Sequence, residues 1–274
     1  MFKINHLNKM EDKKIAIIGC GNLGEAILKG LVDEANFPNK NIVATKRNIE
    51  PIQKYENGGV EVMTDNAKAI AKSELIIVAL KPYNILPILS ELKSSLIANK
   101  HVIVSLATGV STQEIQEVVG ENIAVLRAMP NTAADVNESL TCICAGANSE
   151  EHETTVQSLF NLIGETVILD EGLMESATVL GACGIAYVLR FMRAMIQGGI
   201  EVGFDAKTAT AIVSQTMKGA SELIIQNETH PESEIDKVTT PKGCTITGLN
   251  EMEHAGFSSA LIKGIVASYK KIEK

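Results

Sequence analysis

The sequence predicts an α/β fold in which a parallel-sheet domain, residues 1–170, precedes an all-helical domain, residues 171–274. Three observations carry this expectation. Short β-branched runs, apolar on both faces, alternate with helical segments from Lys13 to about Asp170. Beyond Asp170 the strand signals stop and the apolar residues recur with helical period. A G-x-G-x-x-G run stands between the first apolar strand and the first amphipathic helix.

In chain order, strands are expected in KKIAIIG, NIVAT, VEVM, ELIIVAL, HVIVSL, NIAVLRAMP, SLTCICAG and TVILD. Between them, LGEAILKGLVDE, PILSELKSSL and STQEIQEVV have the spacing of amphipathic helices. The second half opens on a long helix candidate, LMESATVLGACGIAYVLRFMRAMIQGGIEVG. A second helix, DAKTATAIVSQTMKGASELIIQN, is started by Asp205 as its N-cap. TITGLNEMEHAG and FSSALIKGIVASYKK complete the chain. A helix as apolar as 173–200 must be covered on nearly all sides, which predicts a partner subunit rather than burial by its own domain.

Composition narrows the function. The 274 residues are 45% apolar, carry a formal charge of −8, and include no Trp, six Phe and four Tyr. An acidic, aromatic-poor chain lacks the basic patches and stacking rings of a nucleic-acid binder, so a small-molecule ligand is expected. The five cysteines (Cys20, Cys142, Cys144, Cys183, Cys244) form no C-x-x-C pair, which predicts reduced thiols in a cytoplasmic protein. The histidines are scattered, so no metal site is expected. The opening MFKINHLNKMEDKK has no apolar core of a signal peptide and reads as a short extension. The longest uncharged run of the second half, Ser176 to Leu189, falls short of the ~20 residues of a membrane span, so no membrane segment is expected.

The glycine run places Gly19, Gly21 and Gly24 in the dinucleotide-binding spacing, with Asn22 and Leu23 between the last two. Such glycines permit a tight turn, a close approach of the pyrophosphate and close packing of helix on strand, the arrangement of a Rossmann-type domain. The second strand ends in Ala44 and Thr45, followed by Lys46 and Arg47, where an NAD site usually carries an acid for the ribose 2′-hydroxyl. Two cations in place of that acid predict NADP, with NADPH preferred and NADH left open. Near the other end, VTTPKGCTITGLNEME sets two threonines, a proline, a lysine and a glycine directly ahead of an amphipathic run. That is a helix N-terminus suited to an anion.

Together, GCGNLG, VALKP, SLATGV, RAMPNT, GIAYV and VTTPKGCTITGLNEME resemble the pyrroline-5-carboxylate reductase family over nearly the whole chain. The resemblance implies a Rossmann domain followed by a helical domain that interlocks with its twin in a homodimer, which some members assemble further, commonly into decamers. It implies NADPH-dependent reduction of the cyclic imine pyrroline-5-carboxylate to L-proline, the last step of proline biosynthesis. It makes Gly243, Cys244 and Thr245 backbone donors to the substrate carboxylate, with the Thr245 hydroxyl near the imine nitrogen as the catalytic hydrogen-bonding group. Asn66 matches a contact to the adenosine side of the cofactor. Ala79, Lys81 and Pro82 lie at the end of the fourth strand, where open sheets bind ligands, although Lys81 also reads as an ordinary surface cation. Ala107, Gly109, Met129, Pro130 and Asn131 line the nicotinamide and substrate region in the family. Glu228 matches a family glutamate near the substrate nitrogen and reads equally well as a solvated loop acid.

The chain departs from the family pattern at four places. Lys242 stands where a second glycine is usual, Cys244 where small or hydroxyl residues are common, and Ala133 and Ile185 where prolines are expected. A β-hydroxyacid dehydrogenase needs a lysine on the interdomain helix, and this chain has none between Lys100 and Lys207. The alternatives that stay open are a non-catalytic NADP-binding regulatory homologue and a reductase of a related cyclic imine.

Overall fold

In the computed structural model, residues 10, 12–34 and 37–272 are described; most of the expected N-terminal extension lies outside them. All eight expected strands form: β1 (Ile15–Ile18), β2 (Ile42–Thr45), β3 (Glu61–Met63), β4 (Leu75–Val78), β5 (Val102–Ser105), β6 (Ala124–Met129), β7 (Ser139–Ala145) and β8 (Gly164–Ile168). They make one sheet in the order β3-β2-β1-β4-β5-β6-β7-β8. The central strands are apolar on both faces because the sheet is covered on both there. Ile15 and Ile17 enter one core with Ile27, Leu31 and Phe160, while Ala16 and Ile18 enter another with Ile76, Ile103 and Ile115.

One strand departs from the all-parallel expectation: β7 runs antiparallel to β6. The connection spans only residues 130–138, including a 3₁₀ turn at Thr132–Val136, and a parallel crossover needs about a dozen residues or more. β8 returns parallel to β7 through helix α5 (Glu153–Phe160). The other helices of this unit are α1 (Asn22–Lys29), α2 (Asn66–Ala71), α3 (Pro82–Leu92), α4 (Thr112–Val119) and α6 (Met174–Ala177). The Ser111 hydroxyl and the Glu114 carboxylate form a full capping box at the start of α4.

The chain divides into two compact units, one running through Cys183 and taking in the last residues from Lys271, the other Gly184–Lys270. The second is built of helices: α7 (Gly184–Glu201), α8 (Ala206–Asn227), α9 (Pro231–Val238), α10 (Cys244–His254) and most of α11 (Phe257–Ile272). Asp205 caps α8 as its side chain accepts from the Lys207 and Thr208 N–H groups. Among the described residues of these helices only Ala209 and Val213 are buried. Within the unit, α7 packs along α8, the Phe191 and Phe257 rings lie 5.7 Å apart, and the Tyr187 and Ser268 hydroxyls are hydrogen-bonded at 2.6 Å. Leu189, Ile200, Ile225 and Ile262 remain exposed.

The helical run Glu171–Glu201 is long and apolar enough to cross a membrane by length and composition. The uncharged stretch Ser176–Leu189 alone is too short; the helix continues past it through Arg190 and Arg193, as its periodicity predicts, and the whole run has 31 residues.

Gly30, just past α1, fixes how closely that helix approaches the turn after β6. A Cβ there would lie 2.1 Å from the Ala134 carbonyl oxygen and 3.0 Å from both Asn137 Oδ1 and Ile163 Cγ2. Backbone cannot yield as a side chain does. Gly30→Ala is therefore expected to lower stability by about 3 kcal/mol, read as a shift in denaturation midpoint.

Candidate functional site

The loop from β1 to α1 uses its three glycines for three different purposes. Gly19 has φ +91°, and a Cβ there would meet Leu80 Cδ2 at 2.6 Å, so the turn requires glycine twice over. A Cβ on Gly24 would lie 2.8 Å from the Gly19 oxygen, which is the close helix–strand packing the motif serves. Around Gly21 nothing lies within 4 Å of a Cβ, so this side of the loop is open to a ligand. Gly21 is the N-cap of α1 with no side chain capping it, and the first intrahelical bond runs from the Glu25 N–H to the Gly21 oxygen. The N–H groups of Asn22, Leu23 and Gly24 thus precede the helix's own bonding, with the positive end of its dipole behind them. Such an arrangement fits a pyrophosphate.

The end of β2 corrects one expectation. Thr45, expected to contact the cofactor, is buried at 1% exposure. Its hydroxyl accepts from the Gly19 N–H at 3.2 Å and donates to the Ile17 oxygen at 3.4 Å, while its carbonyl accepts from Gly19 and Cys20. Thr45 holds the glycine loop in place, and its hydroxyl is committed to Gly19 and Ile17. Lys46 is half-buried and paired with Glu25 at 3.6 Å, and Lys54 reaches the same carboxylate at 3.2 Å. Arg47 is exposed and makes no ion pair among the described residues. Asn66 is the first residue of α2, behind the Asp65 cap.

Ala79, Lys81 and Pro82 follow β4, and the exposed Lys81 is the N-cap of α3. Ala107 and Gly109 follow β5, and Met129 and Asn131 end β6, so all stand at the carboxyl edge of the parallel strands. Their side chains differ from expectation in two cases. Asn131 is buried, with Oδ1 accepting from the Ala133 N–H at 3.0 Å and Nδ2 donating to the Gly181 oxygen at 3.2 Å; it braces a turn. Met129 packs in a small core with Cys142, Cys144 and Met174. Ala107 is buried, and its N–H donates to Ser105 Oγ.

One cluster was missed altogether. Arg127, on β6 and 3% exposed, donates to Glu171 at 3.2 Å and to Glu175 at 2.7 Å. Glu171 also accepts from the Thr112 N–H and hydroxyl, and Glu175 from the Gly109 N–H at 3.2 Å. The signal was present as an arginine in an otherwise apolar strand, which demands buried counter-ions. Their positions, 44 and 48 residues onward, were beyond any local pattern.

In the helical unit, α10 begins at Cys244 with Gly243 as an N-cap that no side chain completes. The Gly243 N–H, expected to bind an anion, donates instead to the Thr240 oxygen at 2.9 Å. The first intrahelical bond runs from Thr247 to the Gly243 oxygen, so the donors this end presents are Cys244, Thr245 and Ile246. Cys244 and Thr245 are exposed. Glu228, exposed at φ +51°, closes the C-terminus of α8.

Comparison with known proteins matches this architecture along its length. Residues 171–274 match the family model described as pyrroline-5-carboxylate reductase dimerisation, and residues 14–109 match one described as NADP oxidoreductase, coenzyme F420-dependent. Pyrroline-5-carboxylate reductase 2 of Dictyostelium discoideum is 39% identical over 282 residues, covering 96% of this chain and 93% of that protein. The chain belongs to the pyrroline-5-carboxylate reductase family. Pyrroline-5-carboxylate reductase 1 of the same organism is 42% identical over 96% of this chain, which spans 50% of that relative's length. Among solved structures, a Plasmodium falciparum pyrroline carboxylate reductase with NADP bound superposes with a TM-score of 0.87 at 25% identity, covering 96% of this chain and 98% of that one.

The thiols differ sharply in environment. Burial pushes Cys20 up to about 12 and Cys144 up to about 11, and raises Cys142 as well. Cys244 is exposed at the head of α10. A thiolate is the reactive form, so a disulfide reagent at pH 8 is expected to modify Cys244 in the folded protein, and Cys20, Cys142 and Cys144 only after denaturation. Absorbance of the released thiol, with Cys244→Ser as control, checks this; rapid labelling of native Cys20 would show that the glycine loop does not pack as described.

Proposed function

We propose that this chain performs its family's reaction, the NADPH-dependent reduction of pyrroline-5-carboxylate to L-proline. The observation that carries the reading is the glycine loop in a chain that matches that family over nearly all its residues: Gly21 is open, three N–H groups are offered to a pyrophosphate, and no acid stands at the end of β2. When bound, NADPH supplies the hydride. The protein's share is binding and orientation. Asn22, Leu23 and Gly24 hold the pyrophosphate, Arg47 the 2′-phosphate, and Asn66 the adenosine side. The N–H groups of Cys244 and Thr245 hold the substrate carboxylate, and the Thr245 hydroxyl hydrogen-bonds near the imine nitrogen. The chain works as a soluble, cytoplasmic homodimer. Residues 171–274 form the dimerisation and substrate-binding domain, and the second copy covers the apolar surface of Glu171–Glu201. Arg190 and Arg193 within that run, and the ion pairs of Glu171 and Glu175 with the buried Arg127, favour a protein partner over lipid.

The reaction is tested by mixing the protein with NADPH and pyrroline-5-carboxylate and following loss of the reduced-cofactor absorbance. Thr245→Val keeps the side-chain shape and removes the hydroxyl. It is expected to lower kcat/KM for the imine by about tenfold to a hundredfold, the loss of ~1.5–3 kcal/mol, with cofactor affinity unchanged. A fully active Thr245→Val would leave the α10 terminus as a helix cap only.

The assembly is tested by sedimentation. Because the helices of the second unit bury so little within one chain, no folded monomer is expected at micromolar concentration. A stable monomer with exchange-protected α7 amides would show that the chain needs no second copy.

A further inference from the structure

The basic residues after β2 are not equally free. Glu25 stands in the first turn of α1, directly after Gly24, and its two oxygens are divided between two lysines: Oε2 lies 3.6 Å from Lys46 Nζ and Oε1 3.2 Å from Lys54 Nζ. Glu25 and Lys46 are each only about a quarter exposed, at 27% and 25%, so solvent screens their pair less than a surface one. Lys54 is held from its other side as well, 4.9 Å over the Tyr55 ring. Arg47, the next residue, is exposed and uncommitted among the described residues. A carboxylate so close to an anion-binding helix end opposes the very charge that the end attracts.

Resting on the reading that a dinucleotide lies on this glycine loop, we propose that Glu25 is a specificity-determining residue: an internal counter-ion that holds Lys46 and Lys54 away from the ribose 2′-phosphate and so limits the preference for NADPH over NADH. The two cofactors differ only at that phosphate. For NADPH to engage Lys46, the Lys46–Glu25 pair must be broken or shared, whereas NADH leaves it intact. The gain from the phosphate is therefore reduced by what the pair loses, and Arg47, which loses no partner, becomes the principal phosphate ligand. Removing the carboxylate's charge frees both lysines for the phosphate without touching the glycines or Arg47.

The test measures dissociation constants of NADPH and NADH for the full-length wild type, Glu25→Gln, Glu25→Asp and Arg47→Ala, by cofactor fluorescence at low and moderate salt. Glu25→Gln is expected to raise the NADPH preference about threefold to tenfold, through tighter NADPH with NADH changed less than about twofold. Its NADPH affinity should also fall more steeply with salt, because the released lysines act through screened charge. Glu25→Asp, which restores the charge, should fall between. An unchanged ratio overturns the proposal. Equal tightening of both cofactors also overturns it, since that places the effect of Glu25 at the shared pyrophosphate. Arg47→Ala separates this from failure of the underlying reading: a selective loss of NADPH affinity is expected, while an equal effect on both cofactors overturns the 2′-phosphate site and the proposal with it.

Discussion

The guanidinium of Arg127 is the interaction on which the arrangement of the sheet edge depends. A cation at 3% exposure in the middle of a sheet is costly unless it is paired and hydrogen-bonded. Burial pulls the Arg127 pKa down, but Glu175 and Glu171 more than offset it, and the net direction is up. Two carboxylates against one cation would leave an excess charge, and three further donors answer it: the Thr112 N–H, the Thr112 hydroxyl and the Gly109 N–H. One buried charge thereby joins β6, the first turn of α4, the loop after β5 and the root of the long apolar helical run. Each of those segments would be free to shift by itself; none can shift without unpairing a charge.

The glycine loop is fixed by a smaller version of the same logic. Its geometry needs no side chain at Gly19 and Gly24, and it needs something to receive the N–H groups that a tight turn leaves unpaired. The last residue of β2 does this with both its carbonyl and its hydroxyl. An acid in place of Thr45 would bring charge into a position the structure keeps buried. The absence of a carboxylate there therefore has a packing reason, and the charged groups nearest this strand end are Lys46, paired with Glu25, and the exposed Arg47.

Much of this was legible in the sequence, and the boundary of legibility follows the range of the interaction. The central strands β1, β2 and β4 to β6 could be read because burial on both faces writes an apolar run into them, while the outer β3 and β8 were read from β-branched residues between turns. The glycine roles could be read because the turn, the approach and the packing are all local. Sheet direction failed at β7, where connection length rather than strand composition decides. Structural bonds were hidden where the partner is remote: Thr45 bonds residues 26 and 28 positions away, and Asn131 reaches a carbonyl 50 positions on. The Lys46–Glu25 pair was hidden for the same reason, since the charge count at β2 is visible in the sequence and the carboxylate that neutralises it belongs to a helix.

Two of the four departures from the family pattern, Ala133 and Lys242, become intelligible as backbone demands. Where a proline is expected, Ala133 keeps an N–H, and that N–H donates to Asn131 Oδ1. Proline would fix the turn by restricting φ; here a hydrogen bond does it, which also explains why Asn131 is committed to structure. Lys242 is the opposite case. It stands at φ +60° where a glycine is usual, in the region that costs an L-residue roughly 1–2 kcal/mol. The turn before α10 tolerates that cost because the Gly243 N–H donates to the Thr240 oxygen and closes the four residues in which Lys242 stands, while a Cβ on Gly243 would lie 2.9 Å from that oxygen. The residue that remains glycine is the one that delivers the chain into α10, whose N-cap it forms.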